Sequence, residues 1–214
     1  MSSKEVPRGI SRLTSFTKLR LSCLASFDGL QQLASLGHLQ ELSFGQVWLE
    51  AADEPEGSPG LATLSAMTHL RSLSLSNTNM AALPPEVPAL TRLTAPLLSG
   101  NDFETEDSLA GVERLTALRR LSLRDCGLAR VTPQLSVLTS LEHLNLEGNG
   151  LQHDFEAEDS LAGVERLAAL RRLNLRQCGL AHLPPQLSGL TSLERVFLVG
   201  NGLQKLPRHS FRAR

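Results

Sequence analysis

The sequence is poor in cysteine and in aromatic residues. Its 214 residues include three cysteines, Cys23, Cys126 and Cys178, and an odd, sparse set of this kind does not predict a disulfide framework. Aromatic residues make up only 4% of the chain and tyrosine is absent, which argues against the stacking platforms that bind single-stranded nucleic acid. The 21 basic and 22 acidic residues nearly cancel, so no general attraction to nucleic acid or to an anionic membrane is expected.

Segments that direct a chain to or across a membrane are also lacking. Residues 1–12 do not contain the apolar core of a signal peptide. The sequence has no run of about 18 apolar residues, the length needed to span a bilayer. The Asn-x-Ser/Thr acceptor of N-glycosylation is absent too. We therefore expect a cytoplasmic protein with no membrane partner.

The short motifs of common catalytic centres are missing as well. The sequence contains no P-loop, no His-Glu-x-x-His, no Gly-x-Ser-x-Gly and no Cys-x-x-Cys. Its six histidines are scattered, without the spacing of metal ligands. We therefore expect a protein that is not an enzyme and that has no metal, no cofactor and no small-molecule substrate.

What the sequence does contain is an internal repeat. The pattern L-x-x-L-x-L-x-x-N/C-x-L recurs along most of the chain. Successive copies begin 23, 31, 23, 25, 23, 29 and 23 residues apart, so short and long repeats alternate. The eight repeats begin at Phe16, Leu39, Leu70, Leu93, Leu118, Leu141, Leu170 and Leu193.

These repeats divide the chain into three parts. An N-terminal flank covers residues 1–15, the repeat array covers residues 16–206, and a basic tail covers residues 207–214. Residues 102–152 match residues 154–204 at roughly three quarters of the positions, which indicates duplication of a pair of repeats.

The pattern resembles that of the leucine-rich repeat family, over about residues 16–206. Several copies in one register make the resemblance specific. Short repeats also carry Leu-Pro-Pro at residues 83–85 and 183–185, similar to the cytoplasmic subclass that includes Ras-pathway scaffolds and plant intracellular proteins. The resemblance implies a curved solenoid whose usual role is to bind other proteins.

The leucines of each repeat also indicate how such a chain folds. The L-x-L segment alternates as a strand does, and the leucines at positions one, four, six and eleven face an interior that one repeat cannot bury alone. We expect an α/β repeat solenoid, a horseshoe with a concave parallel sheet of about eight short strands. On a convex side of mixed helix and extended structure, Asp107 or Ser108 would begin a short helix that buries Val112 and Leu115. Prolines in the short repeats favour extended structure or a single turn.

Position nine of the repeat predicts a structural ladder. An inward polar side chain at this turn would satisfy backbone groups that the bend leaves unpaired. Asparagine can donate and accept, whereas cysteine is a weaker donor that suits an apolar interior. Cys126 and Cys178 lie two repeats apart, about twice the strand spacing of roughly 4.8 Å, so we expect both to be reduced. The predicted ladder consists of Asn101, Cys126, Asn149, Cys178 and Asn201.

The candidate binding face consists of the solvent-facing positions two, three, five and seven. Along neighbouring repeats, position two alternates between arginine and glutamate, which favours lateral salt bridges. Arginine outnumbers acid on this face, which favours a surface for an acidic protein partner, and the two interpretations are compatible. The candidate partner-binding residues are Arg119, Arg120, Arg124, Glu142, His143, Glu147, Arg171, Arg172, Arg176, Glu194, Arg195 and Phe197.

A second candidate surface is acidic. Acidic inserts at residues 50–56, 102–107 and 153–159 would line one edge of the solenoid, although acids are also favoured before a helix N-terminus. The leading hypothesis is a protein-protein interaction module, an adaptor or recognition component of intracellular signalling that binds through the concave sheet. The alternatives are a structural subunit of a larger assembly and a truncated recognition arm of a multidomain receptor.

Overall fold

The computed structural model describes residues 6–22, 24, 27, 29–45, 60–151 and 160–203. Cys23, the acidic inserts at residues 50–56 and 153–159, and the basic tail at residues 207–214 lie outside these residues. The described residues form one stack of repeats around a continuous hydrophobic core.

Most repeats contribute one short parallel strand to a sheet that lies along one side of the stack. Neighbouring strands pair with leucine opposite leucine, as Leu144 pairs with Leu121 on one side and with Leu173 on the other. Strands β1 to β3 form one sheet and β4 to β7 form a second. The described strands are β1 (Lys18–Ser22), β2 (Glu41–Gly45), β3 (Ser72–Ser74), β4 (Arg120–Ser122), β5 (His143–Asn145), β6 (Arg172–Asn174) and β7 (Arg195–Phe197).

The repeat leucines build the core. Leu118, Leu121, Leu123 and Leu128 occupy positions one, four, six and eleven of one repeat, and each is at most 2% exposed. Burying a leucine side chain contributes roughly 1.5–3 kcal/mol, and in a stack each repeat buries its leucines against its neighbours. The leucine pattern therefore determines both the strand position and the stacking.

The predicted fold class is confirmed, but the described residues form seven strands rather than about eight. The missing strand belongs to the repeat that begins at Leu93, where Leu97 makes only single bridges to Ser74 and Ser122. Pro96 precedes Leu97 at position four of this repeat. Proline has no N–H to donate to a neighbouring strand and fixes its own φ angle, so the sheet is interrupted between β3 and β4.

On the convex side, both the long and the short repeats form 3-10 turns. A helix N-cap at Asp107 or Ser108 is wrong, because the turn begins at Val112 after Gly111. The Ser108 hydroxyl instead accepts the backbone N–H of Thr105 at 3.2 Å. A 3-10 helix rises about 2.0 Å per residue against 1.5 Å for an α-helix, so it covers the return path with fewer residues. The turns span Ile10–Arg12, Leu30–Ser35, Leu61–Ala66, Val87–Ala89, Val112–Arg114, Pro133–Val137, Val164–Arg166 and Pro185–Gly189.

At position nine, an asparagine amide joins consecutive repeats. The Asn149 Oδ1 accepts the backbone N–H groups of Cys126 and Leu128 at 3.0 Å each. Its Nδ2 donates to the carbonyl oxygens of Leu123 and Leu146 at 2.7 Å each. One buried side chain thus satisfies four main-chain groups in two repeats.

Cysteine takes the same position in the intervening repeats. The Cys126 thiol donates to the Leu98 carbonyl at 3.3 Å, and the Cys178 thiol donates to the Leu146 carbonyl at 3.1 Å. Both thiols are free, and burial raises the pKa of each. The ladder residues Asn101, Cys126, Asn149 and Cys178 are buried, and Asn201 is half-buried in the last described repeat.

Candidate functional site

A row of basic side chains crosses the concave face from β4 to β7. Arg120, His143, Arg172 and Arg195 occupy position three of successive repeats and are direct register partners. The three arginines are exposed and His143 is half-buried. Within the part of the chain that the structure describes, none of these arginines forms an ion pair. We call these four residues the position-three row.

A shallow depression of about 340 Å³ lies along this row. Arg120, His143 and Arg172 line it, and its ends are apolar, with Leu97 at one end and Phe197 at the other. Leu97 is 45% exposed, which is unusual for a leucine of this chain. The other polar side chains lining the depression belong to Ser122, Asn145 and Asn174 at position five.

The surroundings of His143 lower the pKa of its imidazole. Partial burial is the main cause, and the neighbouring Arg172 and Arg120 add to it, while Glu142 and Glu194 act in the opposite direction. His143 is therefore neutral over more of the physiological pH range than an ordinary histidine. An anion held between the two arginines would favour its protonated form.

The arginines at position two are paired, unlike those of the position-three row. Arg119 lies 2.5 Å from Glu142, and Arg171 lies 2.7 Å from Glu194. Each pair joins neighbouring repeats, as the alternating charges at position two predict. Exposed pairs of this kind contribute about 0–1 kcal/mol to stability. Their main effect is therefore on the positions of the side chains at the surface.

The arginines at position seven also have partners. Arg124 lies 2.8 Å from Asp125 and 3.7 Å from Glu147. The guanidinium carbon of Arg176 lies 4.8 Å from the ring centroid of Phe197, a cation–π contact that holds the aromatic ring in place. The position-three row is thus bordered on both sides by arginines that already have a partner.

The structure separates the predicted binding residues into two groups. Arg120, His143, Arg172 and Phe197 line the depression, and Arg195 continues the row. Sequence reasoning missed Leu97, because the candidate residues were taken only from the repeats that begin at Leu118 and later; its place at the solvent-facing position five is the signal that could have found it. The other predicted residues lie on the flanking positions two and seven: Arg119, Arg124, Glu142, Glu147, Arg171, Arg176 and Glu194.

Only one of the three predicted acidic inserts, residues 102–107, falls within the described residues. Its Phe103 is fully buried and donates its N–H to the Cys126 carbonyl at 2.8 Å. Glu106 forms an ion pair of 3.1 Å with Arg130 beside a second depression of about 290 Å³. The insert is therefore anchored to the core, and its edge carries charges of both signs.

The described ranges also lack the features of a metal site and of a membrane-spanning helix. Within the described ranges, no group of three or more His, Cys, Asp or Glu residues could hold a metal ion. No helix in those ranges has the length and apolar character to cross a bilayer. The concave face offers cationic and neutral hydrogen-bond donors, and such groups bind anions.

Solved structures with the same architecture were found, although no family model and no curated protein matches the sequence. A leucine-rich repeat protein of Leptospira interrogans has a TM-score of 0.74 and 25% identity, over 92% of this chain and 46% of that chain. An internalin of Listeria monocytogenes, inlF, has a TM-score of 0.65 and 21% identity, over 96% of this chain and 57% of that one. Internalin C2 of the same organism has a TM-score of 0.57 and 19% identity, over 84% and 80%.

These similarities agree with what the residues show. The chain spans about half the length of the first two neighbours, and the two internalins, at 21% and 19% identity, bear on the fold alone. The inward leucines recur along the stack, the parallel strands pair in register within each sheet, and the Asn–Cys ladder extends from Asn101 to Asn201. The chain therefore has the leucine-rich repeat fold and resembles the leucine-rich repeat proteins in its sequence pattern.

Proposed function

We propose that this chain is a protein-interaction module whose concave face, at β4 to β7, binds an acidic segment of another protein. The observation that carries the proposal is the position-three row, in which exposed arginines lie in register and have no acidic partner among the described residues. Within the row, Arg172 and Arg195 lie directly opposite each other on neighbouring strands, an arrangement that is unfavourable for like charges. A bound anion would relieve this repulsion, whereas the arginines at position two already have glutamate partners.

The chemistry of the row suits a polypeptide partner. Guanidinium groups donate two parallel hydrogen bonds to a carboxylate or a phosphate, and arginine is enriched among residues that dominate binding energy at interfaces. Leu97 and Phe197 add apolar contacts at the two ends of the depression. The biological role that we propose is an adaptor or recognition component in intracellular signalling.

A cytoplasmic location is part of the same proposal. The supporting observation is that the buried Cys126 and Cys178 are free and use their thiols as ladder donors. Thiols persist in the reducing cytosol. The formation of mixed disulfides at these positions would remove the hydrogen bonds that they make between repeats.

Two matched triple variants test the binding face. R120Q/R172Q/R195Q removes the arginines of the position-three row, and R119Q/R124Q/R171Q removes the same number of charges from positions two and seven. Each variant and the natural chain would be used for affinity capture from cell lysate followed by mass spectrometry, after circular dichroism has shown that all three are folded.

We expect the natural chain and the control variant to capture the same partner and the position-three variant to lose it. Equal capture by all three chains would contradict concave binding. In that case the binding surface would have to be sought at the acidic edge or at the ends of the solenoid, as a structural subunit of a larger assembly would use.

A further inference from the structure

We infer that Arg120, His143 and Arg172 bind a phosphate group carried by the partner polypeptide. This inference rests on the proposed function and names the group that the partner presents. It is based on the number of donors at the row, on the charges that border it and on its apolar ends.

The three donors lie on adjacent strands and line the same depression. Strands lie roughly 4.8 Å apart, and Arg120 and Arg172 are the register partners of His143 on its two sides. Both arginines affect the imidazole of His143 electrostatically. An anion above His143 is therefore within reach of two long guanidinium side chains and one imidazole.

The donor set exceeds what a carboxylate uses. A phosphomonoester carries a charge of about −1.5 to −2 at neutral pH and three strong acceptor oxygens, whereas a carboxylate carries one charge and two oxygens. Two guanidinium groups can each donate in parallel to a phosphate, and the histidine can donate to the remaining oxygen. All three basic positions of this site are then used.

The acidic residues that border the row favour a ligand with a single phosphate over a ligand with many phosphates. Glu142 and Glu194 lie at position two, and Glu147 lies at position seven. A long polyanion such as a nucleic acid would have to pass these carboxylates, and it would gain stacking from few aromatic side chains. A single phosphate on an otherwise neutral or apolar segment avoids both costs.

The ends of the depression favour a polypeptide over a free phosphate or a nucleotide. Leu97 and Phe197 border it at opposite ends, and Arg176 holds the Phe197 ring at 4.8 Å. An extended peptide with its phosphorylated residue at His143 would place apolar neighbours over these side chains. Peptide recognition of this type combines arginine contacts to phosphate with pockets for flanking residues.

The internal duplication also indicates an apolar subsite at the β7 end of the position-three row. Strand β5 carries Asn145 and is followed by Glu147, whereas the corresponding residues after the duplication are Phe197 and Val199. Val199 is 72% exposed. Between the two copies, the arginine at position three is kept as Arg120 and Arg172, and His143 becomes Arg195. The later copy thus gains apolar side chains next to basic ones, as an apolar subsite next to a phosphate would require.

The test uses degenerate peptide libraries with a fixed central residue. Libraries centred on phosphoserine and phosphotyrosine are compared with matched libraries centred on glutamate and serine, by retention on the immobilised full chain. The variants are R120Q/R172Q and the charge-matched control R119Q/R171Q, both checked for folding by thermal unfolding. NMR of the His143 imidazole, with phosphopeptide or inorganic phosphate added, reports whether the ligand lies at this residue.

We expect a phosphopeptide library to be retained about tenfold better than the glutamate library, with loss of retention in R120Q/R172Q only. The His143 signals should shift with phosphopeptide, and the pKa of His143 should rise. Equal retention of glutamate and phosphate libraries, or retention that survives R120Q/R172Q, would overturn the inference. A lysate partner that is lost with R120Q/R172Q/R195Q but resists phosphatase treatment would also overturn it, while leaving the proposed function standing.

Discussion

The side-chain oxygen of Asn149 accepts the backbone N–H of Cys126, one repeat earlier, at 3.0 Å. The same amide makes three more hydrogen bonds to main-chain groups of the two repeats. Asn149 is 2% exposed, so water cannot readily replace these bonds if the amide is lost. The ladder therefore couples the stability of neighbouring repeats.

Asn149→Ala should lower the free energy of unfolding by about 3 kcal/mol or more. A buried backbone group left unpaired costs about 1–3 kcal/mol, and four such groups lose their partner in this variant. Asn201→Ala removes the equivalent amide in the half-buried last repeat. We expect a smaller loss there, because water can reach these groups. Urea unfolding of both variants measures the difference, and equal losses would contradict the role of burial.

Gly148→Ala should also destabilise the chain, by about 2 kcal/mol or more. Gly148 has a φ of +73°, and a Cβ atom there would overlap the carboxylate of Asp125 in the preceding repeat. Gly150 is the matched control, since it lies two residues away and a Cβ atom there would meet nothing within 4 Å. Thermal unfolding should show a lower Tm for Gly148→Ala alone. A neutral result would mean that the Asp125 side chain moves away at little cost.

Much of the fold could be predicted because one pattern determines several features at once. The spacing of Leu118, Leu121 and Leu123 specifies the strand, the face that is buried and the stacking of the next repeat. The inward position of Asn149 follows from the same register. The interruption at Pro96 needed a separate argument about one missing donor, and the pattern alone counted that repeat as a strand.

The candidate site was less predictable than the core. Sequence reasoning placed Arg119 and Arg120 together on the concave face. The structure distinguishes them, since among the described residues Arg119 has an acidic partner and Arg120 has none. The difference arises from which side chain lies next to each arginine on the adjacent strand, Glu142 at position two and His143 at position three. Leu97 occupies the solvent-facing position five, so the repeat register alone could have predicted its exposure, whereas its reduced strand pairing depends on Pro96.

Arg119→Ala should have little effect on stability. Its side chain is 66% exposed in the ion pair with Glu142, and exposed pairs contribute about 0–1 kcal/mol. Leu121 follows two residues later in the chain, and its side chain is 2% exposed. Leu121→Ala should therefore lower the free energy of unfolding by about 2–5 kcal/mol. Urea unfolding would compare them, and a loss above about 1 kcal/mol for Arg119→Ala would show that the ion pair contributes to the fold.

The histidine of the position-three row should titrate below its usual pKa. Arg172→Gln removes one of the positive charges that, together with burial, lower the pKa of His143, so the pKa should rise in this variant. Arg130→Gln is the control, since Arg130 pairs with Glu106 at the edge of the solenoid. NMR titration of the imidazole, assigned with His143→Gln, makes the comparison. An unchanged pKa in Arg172→Gln would mean that Arg172 does not contribute to the shift.

The same shift makes stability depend on pH in a definite direction. The unfolded chain binds the His143 proton with the ordinary pKa of about 6.5, and the folded chain binds it less tightly. The contribution of His143 is therefore fully present above about pH 6.5 and decreases as the pH falls from there through the folded pKa. In His143→Gln this component of the pH dependence should vanish in urea unfolding measured across that range. If a phosphopeptide binds at the row, it should reverse the effect, because it stabilises the protonated imidazole.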